Sequence, residues 1–549
     1  AERALSIPQM LEIRAAQTAA GAAAAAIVAP GRDPLTYGGL WSQIGSLARS
    51  LRAMGLGRRD RVAVVLPNGP EMAVAFVAIA SGATVAPLNP AYGRDEFHRC
   101  LSDLQAGALV ISADMDSPAR EAARALNVLT IDLLSAPQAH TIDIRLQLAD
   151  QNSSPRPDLA GPDDIAMVLQ TSGTTARPKT VPLTHAALCA SALDIQTAFA
   201  LTPDDCCLNV MPLFHVHGLV GAVLSTLASG GRVVCPPRFD PPSFFQWLAD
   251  FAPTWYTAVP TIHQAIVSEA AFRPKVSVKP SLRFIRSCSA PLPPRVMGEL
   301  ERTFAAPVLE SYGMTEAAHQ ISSNPLPPRQ RKPGSVGVAT GPEVAIMDEG
   351  GDLLPTGETG EIVLRGAHVI GSYENAPKAN QRAFHRGWFK TGDQGRIDSD
   401  GYIFITGRMK ELINRGGEKV APREVEDALL QHPAVAEAVA FAVPHPTLGE
   451  HVAAAVVLRP GAATTEAELR RTAFAHLADH KVPSQVIIVD VIPKGPTGKL
   501  QRVGLAEEFS LALQPAFVAP RGPAEEGLAA IWAGVLNLER VGARDNFFS

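Results

Sequence analysis

The stretch Thr171-Ser-Gly-Thr-Thr-Ala-Arg-Pro-Lys-Thr180 is the most informative part of the sequence. It follows the apolar run Ile165-Ala-Met-Val-Leu169, which is typical of a buried β-strand. The hydroxyl side chains and the glycine of this loop offer O–H and unobstructed N–H donors, and Lys179 adds a mobile positive charge, which together suit a polyphosphate. Because Pro178 precedes Lys179, the loop is not a Walker A loop, and the absence of a Gly-x-Gly-x-x-Gly pattern disfavours a dinucleotide-binding domain.

On both sides of the loop, up to about residue 400, short β-branched runs alternate with Ala- and Leu-rich stretches. Residues 61–66 and 84–88 are predicted strands, and residues 71–81 between them are a predicted helix. This β-α-β rhythm predicts an α/β fold with parallel sheets covered by helices.

The composition excludes several classes of protein. The chain has 549 residues, of which 46% are hydrophobic and 19% charged, so it is not disordered. Its net charge of −5 predicts no nucleic-acid partner. No apolar run approaches the ~20 residues of a membrane span, and no secretory signal is visible. Six scattered cysteines without zinc-like spacing predict reduced thiols and a cytoplasmic location.

Two polar, proline-bearing segments are predicted boundaries, residues 151–157 and residues 515–523. After the second, apolar residues recur from Leu528 to Leu536 with the spacing of an amphipathic helix. One interpretation of this helix is that it packs on the main body of the protein.

The loop resembles the signature of the adenylate-forming superfamily, which includes acyl-CoA synthetases, firefly-type luciferases and the adenylation domains of peptide synthetases. Further segments that resemble this family follow in its order: 212–218, 311–316, 360–366, 387–393, 407–413 and 493–502. The resemblance implies a large N-terminal AMP-binding domain of packed mixed and parallel sheets with helices (residues 1–406). It also implies a small, mobile α+β C-terminal domain (407–514), followed by a linker and the start of a carrier domain (515–549).

The implied reaction joins a carboxylate to the α-phosphate of ATP and expels pyrophosphate, which asks the protein mainly to position a polyanion and stabilise charge. The resemblance implies that the loop binds the β- and γ-phosphates, that Thr315 bonds the α-phosphate, and that Glu316 holds Mg²⁺. The loop residues so implied are Thr171, Ser172, Gly173, Thr174, Thr175 and Lys179.

The same resemblance also implies which residues bind the nucleoside and which belong to the mobile domain. Tyr312 would lie against adenine, and Asp393 and Arg408 would contact the ribose. Lys499 would contact the α-phosphate and the acid during adenylation. Lys410 would be the hinge about which the small domain rotates before thioester formation. Gly416 and Gly417 would then line the channel for a pantetheine thiol.

The acid is predicted to be small, polar and not an amino acid. Adenylation domains for amino acids usually carry an Asp at the position of His215, and without it a buried ammonium would go unpaired. Several segments resemble the oxalate–CoA ligase branch: 214–219, 286–290, 314–319, 322–327 and 413–420. Ser289, His319 and His215 are candidate acid ligands, and His215 is also a candidate catalytic residue. The alternative is that both histidines only pack in the core or bond to the backbone.

Two features complicate the oxalate interpretation. Gly313 stands where that branch is expected to have Ala, and would enlarge the acid pocket. Residues 524–549 resemble the first helix and loop of a phosphopantetheine carrier domain, so the thiol acceptor is either CoA or a carrier domain. Three other functions remain open: a loading domain that acts only on its own carrier, a luciferase-like oxygenase and a non-catalytic nucleotide-binding module.

Overall fold

A computed structural model describes residues 5–16, 22–135, 141–147, 158–171, 178–273, 281–445, 448–494, 502, 504–510, 519–536 and 540–543. The chain forms two compact units, Ala1–Ile405 and Thr406–Ser549. The predicted connector at 151–157 and residues 515–518 of the predicted linker lie outside the described residues. The domain limits proposed at 406 and 514, and the carrier-like character of the segment from 515, stay predictions.

The strands of the described residues are labelled in chain order: β1 (Ala25–Val28), β2 (Leu35–Thr36), β3 (Arg61–Val65), β4 (Thr84–Pro87), β5 (Ala108–Ser112), β6 (Leu129–Ser135), β7 (Ile144–Leu146), β8 (Ile165–Thr171), β9 (Lys179–Thr184), β10 (Cys206–Asn209), β11 (Arg232–Val234), β12 (Trp255–Ala258), β13 (Phe284–Ser287), β14 (Val308–Met314), β15 (His319–Ser323), β16 (Val338–Ala339), β17 (Glu343–Met347), β18 (Gly360–Arg365), β19 (Phe384–His385), β20 (Trp388–Ile397), β21 (Ile403–Arg408), β22 (Ile413–Arg415), β23 (Glu418–Val420), β24 (Val435–His445), β25 (Gly449–Leu458) and β26 (Gln485–Ile488).

The helices are, likewise in chain order: Ile7–Ala16, Tyr37–Ala53, Pro70–Gly82, Arg94–Leu104, Pro118–Ala125, His185–Ala198, Val216–Gly218, the π-helical turn Leu219–Leu224, Ser225–Ser229, Pro241–Phe251, Pro260–Ala271, Pro294–Phe304, the 3₁₀ turn Thr315–Ala317, Pro377–Ala383, Pro422–Leu429, Glu466–His476, the 3₁₀ turn Asp479–Lys481, Leu505–Glu508 and Gly522–Leu536.

Three sheets build the first unit. One runs β16-β15-β14-β13-β12-β10-β11-β1-β2, another β7-β6-β5-β3-β4-β8-β9, and a third β17-β18-β20-β19 with β21 on β20. Pairing is parallel from β1 through β11, β10, β12 and β13 to β14, and antiparallel from β14 onward to β16. The predicted α/β class, with mixed sheets and covering helices, is confirmed.

The helix Pro70–Gly82 shows why the sequence folds this way. Proline at its first turn needs no N–H partner there, and every later residue of the helix except Glu71 is buried. A helix that is apolar all round lies within a core. The strands predicted on either side of it are β3 and β4, which pair in parallel register.

The second unit is built on one sheet, β23-β22-β25-β24 with β26 paired to β25. Arg502 is held by Glu411 and Glu426, with nitrogen–oxygen distances of 2.7 and 2.8 Å. The predicted amphipathic helix is the C-terminal part of Gly522–Leu536. Its side chains Leu528, Ile531 and Val535 are 56%, 62% and 69% exposed, so these members of its apolar stripe are not packed.

All six cysteines are free and buried. Burial raises the pKa of five of these thiols, and such thiols are unreactive. In the described part of the chain, no helix is long and apolar enough to cross a membrane.

Two buried histidines predict that the first unit loses stability in mild acid. Burial lowers the pKa of His185 to about 4 and that of His263 to about 3. His185 Nδ1 accepts a hydrogen bond from the Ile7 amide (3.2 Å), and His263 Nδ1 lies 3.3 Å from the Tyr256 hydroxyl. The unfolded chain, whose histidines titrate near ~6.5, binds more protons than the native state below that pH, so stability falls as the pH falls.

Each of the two histidines is expected to cost about 1.4 kcal/mol between pH 7.5 and 5.5. Denaturant unfolding followed by tryptophan fluorescence at several pH values measures this slope. His185→Gln should remove about half of it, whereas replacing the exposed His98 by glutamine should leave it unchanged. Equal slopes in wild type and His185→Gln would contradict the assignment.

Candidate active site

The phosphate-binding loop predicted from sequence connects two strands that pair with each other. Strands β8 and β9 pair antiparallel, with Thr171 opposite Lys179. The two ends of the loop are therefore fixed side by side by the strand register. Of its predicted ligands, Ser172, Gly173, Thr174 and Thr175 lie outside the described residues.

Tyr373 links this hairpin to Glu316, and sequence reasoning missed it. The Lys179 ammonium lies 4.2 Å from the centre of the Tyr373 ring, and the Tyr373 hydroxyl donates to Glu316 Oε1 at 2.8 Å. Burial and the neighbouring carboxylate both raise the pKa of Tyr373, which therefore stays a donor. Asn380 fixes the backbone of Tyr373 by bonding its N–H (2.8 Å) and its carbonyl (2.9 Å).

Glu316 belongs to a single 3₁₀ turn, Thr315–Ala317, directly after β14. Its side chain is buried at 8% exposure. Its carbonyl accepts from the Ile370 amide at 2.9 Å, so the segment that ends in Tyr373 is tied to the turn through the backbone as well. The Glu316 carboxylate and the Lys179 ammonium group thus contact the same tyrosine, one at its hydroxyl and the other on its ring face. Such an arrangement suits a cation and the phosphate that it accompanies.

Tyr312 and Asp393, both predicted to contact the nucleoside, are brought together. The Tyr312 hydroxyl donates to Asp393 Oδ2 at 2.5 Å, although the residues are 81 positions apart. Both are buried, with 8% and 4% exposure. The Asp393 amide donates to the Thr391 hydroxyl, which in turn donates to the Ile362 carbonyl. The carboxylate is thus held at a fixed place on β20.

A buried polar cluster surrounds His217. Its Nδ1 lies 3.1 Å from the Ser289 hydroxyl, and its Nε2 lies 2.6 Å from the Thr257 hydroxyl. Its ring stacks on that of His319, with centroids 5.1 Å apart. Ser289 and His319 were predicted acid ligands, and His217 joins them. His217 lies in the segment 212–218 that resembles the family, where only His215 was predicted to bind the acid.

His215 and Gly313 have local roles of their own. The His215 ring packs on the Phe214 ring, with centroids 4.6 Å apart. His215 directly precedes the short helix Val216–Gly218. A Cβ at Gly313 would lie 1.9 Å from the His319 carbonyl oxygen, so glycine there permits the close approach of β14 and β15. The room beside Gly313 is filled by backbone, which is not the enlarged pocket expected from sequence.

The remaining predicted residues belong to the second unit. Arg408 ends β21, and Lys410 lies exposed in the turn that follows. Gly416 and Gly417 form the two-residue turn between β22 and β23, with φ of 61° and 96°. Hairpin turns of this kind require glycine or asparagine, so the pair has a backbone reason to be glycine. Lys499 lies outside the described residues.

The large α/β unit with its buried Tyr312–Asp393 pair, and the smaller α+β unit that follows it in the chain, agree with the adenylate-forming class of enzyme expected from the sequence. Comparison with known families supports this class. Residues 12–374 match the AMP-binding enzyme family, and residues 424–499 match the AMP-binding enzyme C-terminal domain. The chain belongs to the AMP-binding enzyme family.

Individual proteins similar to this chain support the same family. The chain is 44% identical to an oxalate–CoA ligase of Arabidopsis thaliana, over 88% of this chain and 95% of that protein. It is 38% identical to a sulfoacetate–CoA ligase of Cupriavidus necator, over 86% and 92%. The crystal structure of ATP-bound MatB from Rhodopseudomonas palustris superposes with a TM-score of 0.83 at 31% identity, over 93% and 100%.

The chain is therefore an acyl-adenylate-forming enzyme that carries out ATP-dependent acid–CoA ligation. A loading domain that acts only on its own carrier is not favoured.

Proposed function

We propose that this enzyme activates a small acid with two negatively charged groups, of the oxalate type, and transfers the acyl group to CoA. The observation that carries this proposal is the buried polar cluster of His217, Ser289, Thr257 and His319. A fatty or aryl acid needs an apolar pocket, whereas a small diacid needs hydrogen-bond donors. The relatives named for oxalate and sulfoacetate, both small and doubly charged acids, support the same class.

ATP is proposed to bind with Mg²⁺ at Glu316. Magnesium prefers a few carboxylate oxygens and completes its shell with water and substrate phosphates, which fits the single buried carboxylate here. The metal would neutralise phosphate charge during displacement of pyrophosphate. Tyr373 orients the carboxylate, while Thr171, Thr315 and Lys179 are proposed phosphate ligands together with the loop residues Ser172, Gly173, Thr174 and Thr175.

The residues for nucleoside binding and for thioester formation are proposed from the family resemblance. Tyr312 is proposed to contact adenine, with Asp393 and Arg408 on the ribose and Lys499 on the reacting phosphate. Lys410 is the proposed hinge, and Gly416–Gly417 the proposed thiol channel. A carrier-bound phosphopantetheine is the alternative acceptor. Free, buried cysteines suit a reducing compartment, so a cytoplasmic location is part of the proposal.

Pyrophosphate release from Mg·ATP tests the function across an acid panel, with and without CoA. The panel includes oxalate, malonate, sulfoacetate, an aryl acid, a medium-chain acid and an amino acid. Turnover with a small diacid that requires CoA is expected. Turnover only with aryl or fatty acids would overturn the substrate class, and exchange of pyrophosphate without CoA stimulation would favour a carrier acceptor.

The Tyr312–Asp393 hydrogen bond makes a prediction about ATP binding. Tyr312→Phe removes the donor that orients the Asp393 carboxylate, and bonds to charged groups contribute about 1.5–3 kcal/mol. We expect the KM for ATP to rise about 10-fold, with kcat changed less than about threefold. Tyr402→Phe is the matched control, because its buried hydroxyl bonds the Gln330 carbonyl instead. An unchanged KM for ATP in Tyr312→Phe would exclude the proposed role of the pair.

A further inference from the structure

The strongest unexplained feature is a buried guanidinium that the described part of the chain pairs with no carboxylate. Arg286, on β13, has no exposed surface, and burial lowers its pKa. Its four hydrogen-bond partners are all uncharged acceptors: the Ser311 hydroxyl (3.3 Å), the Gly221 carbonyl (3.5 Å), the Gln320 side-chain oxygen (2.7 Å) and His319 Nε2 (2.9 Å). A buried charge without an opposite charge is costly, so its retention calls for a reason.

The contact with His319 fixes the position of a proton. Arginine donates and never accepts, so His319 Nε2 must accept from Arg286 Nη2, and the ring proton of neutral His319 is then on Nδ1. Nδ1 is the His319 side-chain atom that approaches Gly313, at 3.2 Å from the place a Cβ there would occupy. Gly313 adjoins Tyr312, the proposed adenine contact. The Nδ1–H group is therefore a donor on the side of the ring that lies against Gly313.

We propose that Arg286 is a positioning residue that selects the small, doubly charged acid: it holds His319 as the Nδ1–H donor, and its buried positive charge is offset by the second acidic group of the substrate. This inference rests on the proposed function. It explains why the guanidinium has only neutral partners among the described residues, because the opposite charge arrives with the acid.

The surrounding backbone makes room for this pair. A Cβ at Gly221 would lie 2.5 Å from His319 Nε2 and 2.9 Å from Arg286 Nη1, so any larger residue would collide with the contact. Gly221 lies in the π-helical turn Leu219–Leu224, a widened form of helix that is frequent at functional sites. His319 itself has a φ of 99°, a conformation that its place at the start of β15 must maintain.

The tautomer can be measured without any substrate. In full-length protein labelled with ¹⁵N in the histidine rings, the His319 signals are identified by their loss in His319→Asn. Wild type should show the Nδ1–H pattern. Arg286→Met should shift His319 toward the Nε2–H pattern, because the donor to Nε2 is gone. An Nε2–H pattern in wild type, or the same pattern in wild type and Arg286→Met, would overturn the positioning role.

Substrate selection is measured as the ratio of kcat/KM for oxalate to that for glyoxylate, which has the same two-carbon frame and a single charge. Arg286→Met should lower this ratio about 10-fold or more, with the KM for ATP within twofold of wild type. Arg286→Lys keeps the charge but loses the forked donor, so its ratio should fall by less. Arg283→Lys is the matched control directly before the same strand, where the guanidinium pairs with Asp205 at 2.6 Å, and its ratio should not change.

Equal losses with both acids in the Arg286 variants would reduce the residue to a structural role and overturn the proposal. Unfolding curves of each variant show whether it folds, and Arg286→Lys serves if Arg286→Met does not. If wild type turns over no diacid at all, the proposed function fails. The tautomer measurement then still decides whether Arg286 fixes the tautomer of His319.

Discussion

Replacing Lys499 by alanine is expected to lower the rate of acyl-AMP formation by about 10²–10³-fold, the loss seen when one charge-stabilising donor is removed from a transition state. The family resemblance brings this lysine to the α-phosphate only during adenylation. Thioester formation from a supplied acyl-adenylate should therefore stay within about twofold of wild type. The two half-reactions are measured separately, the first by pyrophosphate exchange and the second by CoA thioester formation.

Lys494→Ala is the matched control for this experiment. Lys494 lies five positions earlier and pairs with Glu437 at 2.8 Å, so its loss should leave both half-reactions unchanged. Equal loss of both half-reactions in Lys499→Ala would contradict the assignment, because a residue used in one step only cannot slow both.

Replacing Glu316 by glutamine should have the second-largest effect. The neutral amide keeps the shape of the side chain and can still accept from Tyr373, but it offers Mg²⁺ no negative charge. We expect adenylation at saturating ATP to fall about 10²-fold and the Mg²⁺ concentration for half-maximal rate to rise. Pyrophosphate exchange measured against free Mg²⁺ gives both quantities.

Glu301→Gln controls for a general effect of losing a partly buried carboxylate. Glu301 accepts from the Val308 amide at 2.9 Å and pairs with Arg331, and we place it outside the site. Its variant should keep the wild-type dependence on Mg²⁺. If Glu316→Gln shows the same Mg²⁺ dependence as wild type, Glu316 does not hold the metal.

Much of the fold was predictable because it depends on neighbouring residues. The apolar run before Thr171 predicted β8, and the alanine-rich composition of residues 71–81 predicted the helix Pro70–Gly82. Tyr312, Glu316 and Asp393 were predicted as site residues from short motifs, and the structure brings Tyr312 and Asp393 into contact. The expectation that Gly313 enlarges the acid pocket was wrong. The motif around Gly313 could not show this, because the His319 carbonyl that fills the space belongs to the next strand.

The residues that sequence reasoning missed have partners far away in the chain. Tyr373 meets Glu316 across 57 positions, and His217 meets Thr257 across 40. Arg286 lies in a quoted motif, yet its contact with His319 across 33 positions has no local pattern. Such pairs arise where separate elements pack, and no periodicity along the chain reports them.

Consecutive residues were enough to predict the class of enzyme and the α/β succession of elements, because motifs and apolar runs are local features of the chain. The role of the phosphate loop stays a prediction. Which side chains lie next to one another depends on the tertiary structure. It is the lateral order β15-β14-β13-β12 that sets Arg286 beside His319 and His217 beside Ser289 and Thr257. That order results from the packing of whole elements around the core, to which every part of the chain contributes.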